Sequence, residues 1–313
     1  MTKRDVMLSV ADEFRPFPYI PAAFFLHFPP EYHFGRPAVE KHLDYFRQTN
    51  MDFIKIQYER TFPPIPTIQS PSDWSKMPHY GKDFFEGQLQ AVDGLIKAVH
   101  DEALVIVTLY STFMCAGHTT NDGFVTDCLN RAPEQIRAGF EIISESLLVF
   151  VRECINLGVD GFYMSTQGGE AGRFSDKGIF EQYIKPFDLL LMNEIAANCR
   201  FNILLVCDYQ RSYDDFSPFV DYPGTIVNCP LYVGNRELTP TEASQLFKRP
   251  FMGGLERKGI ITSGTPDQIR DAVAQVIADA PARFVLGADC TVPSETPWQN
   301  LKTAIDAAHN HRS

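Results

Sequence analysis

A (β/α)8 TIM barrel, an α/β fold, is the architecture this sequence predicts, because short β-rich apolar runs alternate with stretches of helical periodicity from end to end. Eight runs stand out: residues 19–26, 53–58, 104–109, 161–165, 203–207, 225–228, 251–255 and 284–287. Most are bounded by Gly, Pro, Asp or Asn, and eight is the number that closes such a barrel. Length agrees. A chain of 313 residues, 44% of them hydrophobic, can bury a large core, and barrels of about 250 residues stand as one domain. A single domain over residues 1–313 is therefore expected, with residues 1–17 as an N-terminal helical extension.

Between the runs, residues 133–157 and 180–198 carry apolar side chains at helical spacing, and residues 83–100 do so more weakly. Thr265-Pro266-Asp267-Gln268 and Thr296-Pro297-Trp298-Gln299 each place threonine at a helix cap, proline at the first helical position and glutamine at the third. Two long connections, residues 60–81 and 111–131 after the second and third strands, read as loops that wall or cover a site. The tail 307–313 reads as frayed. No internal repeat is present.

The net charge of −11, with no block of five or six lysines and arginines, leaves no electrostatic footprint for nucleic acid or an anionic membrane. Seven cysteines without a C-x-x-C pair read as mostly reduced, which points to the cytoplasm. The first residues lack the apolar core of a signal peptide, and no apolar run approaches the roughly 18 residues needed to span a bilayer.

In a barrel of this kind chemistry sits at the carboxyl ends of the strands. Those positions hold His27, then Gln57, Tyr58 and Glu59, then Tyr110, then Ser165, Gln167 and Glu170, then Cys207 and Asp208, then Asn228, and finally Asp289 and Cys290. Tyr58, Glu59, Asp208 and Asp289 are the candidate acids and bases, provided burial moves their pKa values toward neutrality; ordinary helix capping is their alternative. His27, Tyr110, Ser165, Gln167, Glu170 and Asn228 are the candidate substrate contacts. Cys207 and Cys290 supply two soft metal ligands, whereas an open tetrahedral zinc site usually wants three. His27, His118, Glu59, Glu170 or Asp208 could donate the third. The competing reading makes both cysteines small buried hydrophobes.

Gly168-Gly169-Glu170-Ala171-Gly172 could let backbone amides approach an anion or could simply be a flexible turn. The P-loop, the G-x-G-x-x-G fingerprint and the G-x-S-x-G elbow are all missing, so no tightly bound organic cofactor is expected.

The segments Gly253-Gly254-Leu255-Glu256-Arg257-Lys258-Gly259, Gly264-Thr265-Pro266-Asp267-Gln268-Ile269 and Leu286-Gly287-Ala288-Asp289-Cys290-Thr291-Val292-Pro293 resemble the uroporphyrinogen decarboxylase-like superfamily. Weaker similarity runs from Pro21 to the end. The resemblance implies a (β/α)8 barrel and either tetrapyrrole decarboxylation or zinc-dependent, corrinoid-linked methyl transfer. The decarboxylases carry Arg-x-x-x-Arg after the first strand, where this chain has His27 and Glu31. Their essential aspartate falls at Tyr58 or a neighbour, and their histidine after the last strand at Ala288. A carboxylate in place of the second arginine should repel a polyanionic porphyrinogen. The methyltransferases carry His-x-Cys after the fifth strand and a distant cysteine after the eighth. Here the pattern is Leu205-x-Cys207 with Cys290, two ligands of three.

The expectation is thus a methyl or one-carbon transferase acting on a small organic substrate, with zinc at Cys207 and Cys290 and a corrinoid or corrinoid protein as partner. A decarboxylase (lyase) of a small or tetrapyrrole acid, using Tyr58, Glu59 or Asp289, is the alternative. A non-catalytic corrinoid-binding accessory protein is the second alternative, and a homodimer is the expected assembly.

Overall fold

The computed structural model describes residues 1–12 and 18–311. Seven strands, β1 (Phe53–Ile56), β2 (Leu104–Tyr110), β3 (Gly161–Thr166), β4 (Ile203–Val206), β5 (Ile226–Asn228), β8 (Phe251–Leu255) and β9 (Phe284–Ala288), form one parallel sheet in that order. The sheet curls into a half-barrel. A two-residue-per-strand hairpin, β6 (Tyr232–Val233) and β7 (Arg236–Glu237), stands apart and antiparallel. Sheets buried on both faces read as nearly continuous apolar runs, and β1, β4 and β9 are buried at every position.

Seven of the eight expected runs become strands. The first, 19–26, does not, so the sheet lacks the eighth strand of a closed barrel. Residue 22 makes a single parallel bridge to Leu286. Around it the Leu286 N–H donates to the Pro21 carbonyl (2.8 Å), the Ala23 N–H to Leu286 (3.0 Å) and the Asp52 N–H to Ala22 (3.0 Å). The cause is local. Pro21 has no N–H to give, and the Ala22 N–H donates to the Asp52 carboxylate at 2.7 Å instead of entering a ladder with β1.

Helices α2 (Gly35–Thr49), α3 (Lys82–Val99), α6 (Pro133–Leu157), α7 (Lys185–Asn198), α8 (Pro240–Phe247), α9 (Ile260–Ser263), α10 (Pro266–Ala278) and α11 (Trp298–His309) lie before, between and after the strands. The Thr265 capping box opens α10 as expected. Thr296 caps nothing: its N–H turns back to Pro293 (3.0 Å), and α11 begins at Trp298 with Pro297 at the cap. Nor is the end of the chain frayed through 307–309, because α11 runs to His309, whose Nε2 lies 2.7 Å from Asp52. At the other end, the expected helical extension is α1 (Lys3–Val10), closed by a Thr2–Asp5 capping box, while residues 13–17 lie outside the described residues.

The expected loop 111–131 is two helices, α4 (Thr112–Thr119) and α5 (Asp122–Arg131). Ser111 caps the first by accepting the Met114 N–H (3.3 Å) and Asn121 the second by accepting the Phe124 N–H (2.9 Å). Phe113 with Ala116, and Val125 with Leu129, are buried at helical spacing. Residues 60–81 remain irregular apart from a 3-10 turn, Pro71–Lys76, whose fully buried Trp74 presses on α6 at Gly139, where a Cβ would stand 2.9 Å from it. Among the described residues no helix is long and apolar enough to cross a membrane.

Candidate functional site

Strand alternation decides which side chains reach the barrel interior. On β1 and its extension the inward set is Phe53, Lys55 and Gln57, so Ile54, Ile56 and Tyr58 face the helices. The same rule brings Thr108 and Tyr110, then Tyr163, Ser165 and Gln167, then Leu205 and Cys207 to one cavity of about 560 Å³, closed on the far side by Cys290 and Thr291. Phe113, Met114 and His118 of α4 form a wall, and Tyr209, Lys258 and Glu295 stand at its margin. A cavity of this size fits a small organic molecule.

Six of the sequence-predicted residues, His27, Tyr110, Ser165, Gln167, Cys207 and Cys290, line this cavity. Cys207 and Cys290 line the same cavity, form no disulfide and perturb each other's titration. The Cys207 thiol, further touched by the Gln167 amide at 3.6 Å, is held well above the ordinary thiol pKa, first by its contact with Cys290 and then by burial. Cys290 is lowered, because the Cys207 S–H stabilises its thiolate and the Arg257 guanidinium lies nearby. The pair thus favours the thiolate at Cys290 over that at Cys207.

The remaining predicted residues lie elsewhere. Tyr58 is fully buried on the helix side, edge-on to Tyr110 and Phe150 at 5.5 Å each, with its hydroxyl unpartnered; reading it as an acid or base placed it on the wrong face of the strand. Glu59 sits beside the cavity, its Oε1 at 2.8 Å from His27 Nδ1, and its backbone N–H donates to Gln88. Asp208 and Asp289 flank Arg257 at 2.8 and 2.6 Å, and Asp289 also accepts the Arg257 backbone N–H at 2.7 Å. Burial raises Asp289 to about 6, against the pull of Arg257. Both carboxylates border a second, outer cavity of about 440 Å³ rather than the central one.

Glu170 points away from the cavity. It receives Arg173 Nε (2.5 Å) and Nη2 (2.7 Å), both side chains being fully buried, and it accepts the Gly168 N–H at 2.7 Å. The amide of the glycine turn is therefore taken by the chain's own carboxylate. Asn228 lies beneath the cavity floor, where its amide donates to the Met252 (2.8 Å) and Ala288 (3.1 Å) carbonyls and its oxygen accepts the Tyr163 hydroxyl.

Lys55 was not among the predicted residues. It is 4% exposed and lines the cavity, with Nζ donating to Gln57 Oε1 at 2.6 Å and standing 4.5 Å from the centres of the Phe25 and Tyr163 rings. Burial lowers its pKa to about 7, opposed by Cys290, Glu59 and Cys207. A signal existed: one lysine in the apolar run Phe53-Ile54-Lys55-Ile56. Arg257, too, was visible in the Gly-Gly-Leu-Glu-Arg segment without an assigned part.

For zinc, Cys207 and Cys290 give two thiol donors, Leu205 fills the neighbouring interior position, and the Lys55 amine faces the same cavity. Among the described residues no group of three or more His, Cys, Asp or Glu side chains is placed to hold a metal ion. The donor set does not fit an open tetrahedral zinc site.

Comparison with solved structures finds a methyltransferase from Methanosarcina mazei at TM-score 0.73 and 12% identity, covering 98% of both chains. A protein described as a vitamin-B12-independent methionine synthase from Listeria monocytogenes matches at TM-score 0.52 and 12% identity over 95% of this chain and 98% of that one. At these identities the likeness is one of fold. No curated protein matches the sequence. The family model described as "Uroporphyrinogen decarboxylase (URO-D)" matches residues 35–311, and on that extent the chain belongs to the uroporphyrinogen decarboxylase family.

Proposed function

We propose that this protein is an enzyme that transfers a methyl or one-carbon group on a small organic substrate, with the Cys207–Cys290 pair as its reactive centre. The observation that carries the reading is the pair of free cysteines lining the central cavity, where Cys207 and the Arg257 guanidinium bias Cys290 toward thiolate. Its likeness in fold to a methyltransferase supports the class of reaction. In the step proposed, the Cys290 sulfur lone pair attacks the methyl carbon of the donor, the S–C bond forms, and the donor atom leaves with the electron pair of the broken bond. An acceptor nucleophile then displaces the Cys290 thiolate and carries the methyl group away. Cys207 holds the thiolate before attack and after release.

A corrinoid, larger than the central cavity, would present its methyl group at the mouth, beside Tyr209 and Lys258. Decarboxylation through Tyr58 or Asp289 finds less support, because Tyr58 is sealed off and Asp289 is held by Arg257; of its candidates Glu59 stands beside the cavity, on His27. The test is methyl transfer from methylcobalamin to small thiols and amines by wild type, Cys290→Ser and Cys207→Ser, beside elemental analysis. Wild-type turnover that falls at least about 100-fold in Cys290→Ser and survives chelation is expected. Stoichiometric zinc lost in both variants, or an unchanged rate in Cys290→Ser, would sink the reading.

A further inference from the structure

We propose that Lys55 is a carbonyl-reactive amine, which forms an imine with a small, uncharged aldehyde or ketone in the central cavity. The inference goes beyond methyl transfer and needs no methyl donor. It stands on placement. A lysine on a barrel strand is 4% exposed yet faces the cavity, and it makes no ion pair among the described residues. Its hydrogen-bond acceptor is neutral: Gln57 Oε1, 2.6 Å away, which also accepts from Thr108 at 3.3 Å, while the Gln57 amide reaches Thr291 at 3.4 Å. Gln57 is thereby fixed with its carbonyl toward the lysine, and the Phe25 and Tyr163 rings hold the Nζ from two sides at 4.5 Å.

Buried lysines elsewhere in proteins are commonly matched by a carboxylate, since an unmatched ammonium is costly to desolvate. Here the carboxylates nearby are committed: Asp208 and Asp289 to Arg257, Glu59 to His27. Glu59 and the Cys207–Cys290 pair favour its charged form, but burial outweighs them and poises the amine toward neutrality, the state a nucleophilic lysine needs.

The substrate class follows from the walls. Beside Lys55 the cavity presents Gln57, Thr108, Ser165 and Gln167, neutral hydrogen-bonding groups, and the cation Arg257 is already balanced by two carboxylates. Among the described lining residues Lys258, at the margin, is the one cation outside an ion pair that could meet an anionic substrate besides Lys55 itself. In the step, the Lys55 nitrogen lone pair forms a C–N bond to the carbonyl carbon, and the C=O π pair moves to oxygen. A proton passes from nitrogen to oxygen to give a carbinolamine. With one further proton from water the hydroxyl leaves as water, and the C=N bond of a protonated imine remains.

Propionaldehyde with sodium cyanoborohydride tests this on the wild-type protein in the absence of any methyl donor, so that its outcome is separate from that of the methyl-transfer assay. Hydride adds to the imine carbon and leaves a stable secondary amine, located by peptide mass spectrometry. The expected result is modification of Lys55 at least about tenfold faster than of the exposed Lys97 and Lys248, with the fast phase absent in Lys55→Arg. Labelling of Lys55 no faster than those surface lysines would overturn the assignment, whether or not the variant folds.

Discussion

At the scale of single residues, Lys55 sets a stability against a chemical capacity. Its folded pKa of about 7 lies below the ordinary lysine value of 10.5, so the native state binds fewer protons than the unfolded chain between those limits. The favourable contribution is complete above the unfolded pKa and is lost as pH falls through 7. Lys55→Met, which keeps the aliphatic stem between Phe25 and Tyr163, should therefore be more stable than wild type by about 2 kcal/mol or more at pH 6, since a tenfold difference in proton affinity between the two states is worth ~1.4 kcal/mol. The gap should narrow as pH rises toward 10. Urea denaturation across that range measures it, and a gap that widens with pH would refute the assignment of the charge. Lys55 was legible in the sequence as a charge inside an apolar run, and Gln57 lies two residues on; Phe25 and Tyr163 were not legible as its partners, because they come from two other segments.

Secondary-structure elements show why strand-end reading named the right rim and some wrong faces. Tyr58 and Gln57 are neighbours, yet one turns to Phe150 of α6 and the other to the cavity, because the side-chain period of a strand is two. The helices after β2 depend on the turn after β3. Arg173, fully buried, binds Glu170 of its own turn, Asp122 (2.7 Å) and Thr126 (2.9 Å) of α5, and lies 4.9 Å from the Phe113 ring of α4. It fastens the cavity wall to the sheet. Arg173→Met leaves Glu170 and Asp122 without their cation and should cost about 3–5 kcal/mol. The double variant Glu170→Met/Arg173→Met should be less destabilised than the sum of its parts, a coupling that a double-mutant cycle in urea reads directly. Strict additivity would mean that the pair does not act as a unit.

For the molecule as a whole, the place where the eighth strand is missing carries its own reinforcement. Buried Asp52 accepts the Ala22 N–H and the Tyr19 hydroxyl at 2.7 Å each, and its Oδ2 lies 2.7 Å from His309 Nε2. One carboxylate thus joins the segment beside β9, the start of β1 and the last turn of α11. Asp52→Ala strands the buried Ala22 N–H and should cost about 2–4 kcal/mol. Hydrogen exchange at residues 21–26 should rise before that of β3 and β4, which lie farther round the sheet from the gap. Uniform loss of protection across the sheet would show that the seam is not a separate unit.

Alternation of apolar runs and helical patterns determined the parallel α/β architecture, seven strand positions and the rim that carries Cys207 and Cys290, since burial on both faces of a strand is written in consecutive residues. The helical identity of 111–131 was written there too, in Ser111 and Asn121, but short caps among polar residues read equally well as loop. Only tertiary structure decided that Ala22 gives its N–H to a side chain, that Glu170 and Asp289 are consumed by arginines, and that a lysine shares the cavity with the thiol pair. Apart from Glu170 and Arg173, which share one turn, those outcomes depend on which groups meet across tens or hundreds of residues, and spacing along the chain does not encode such meetings.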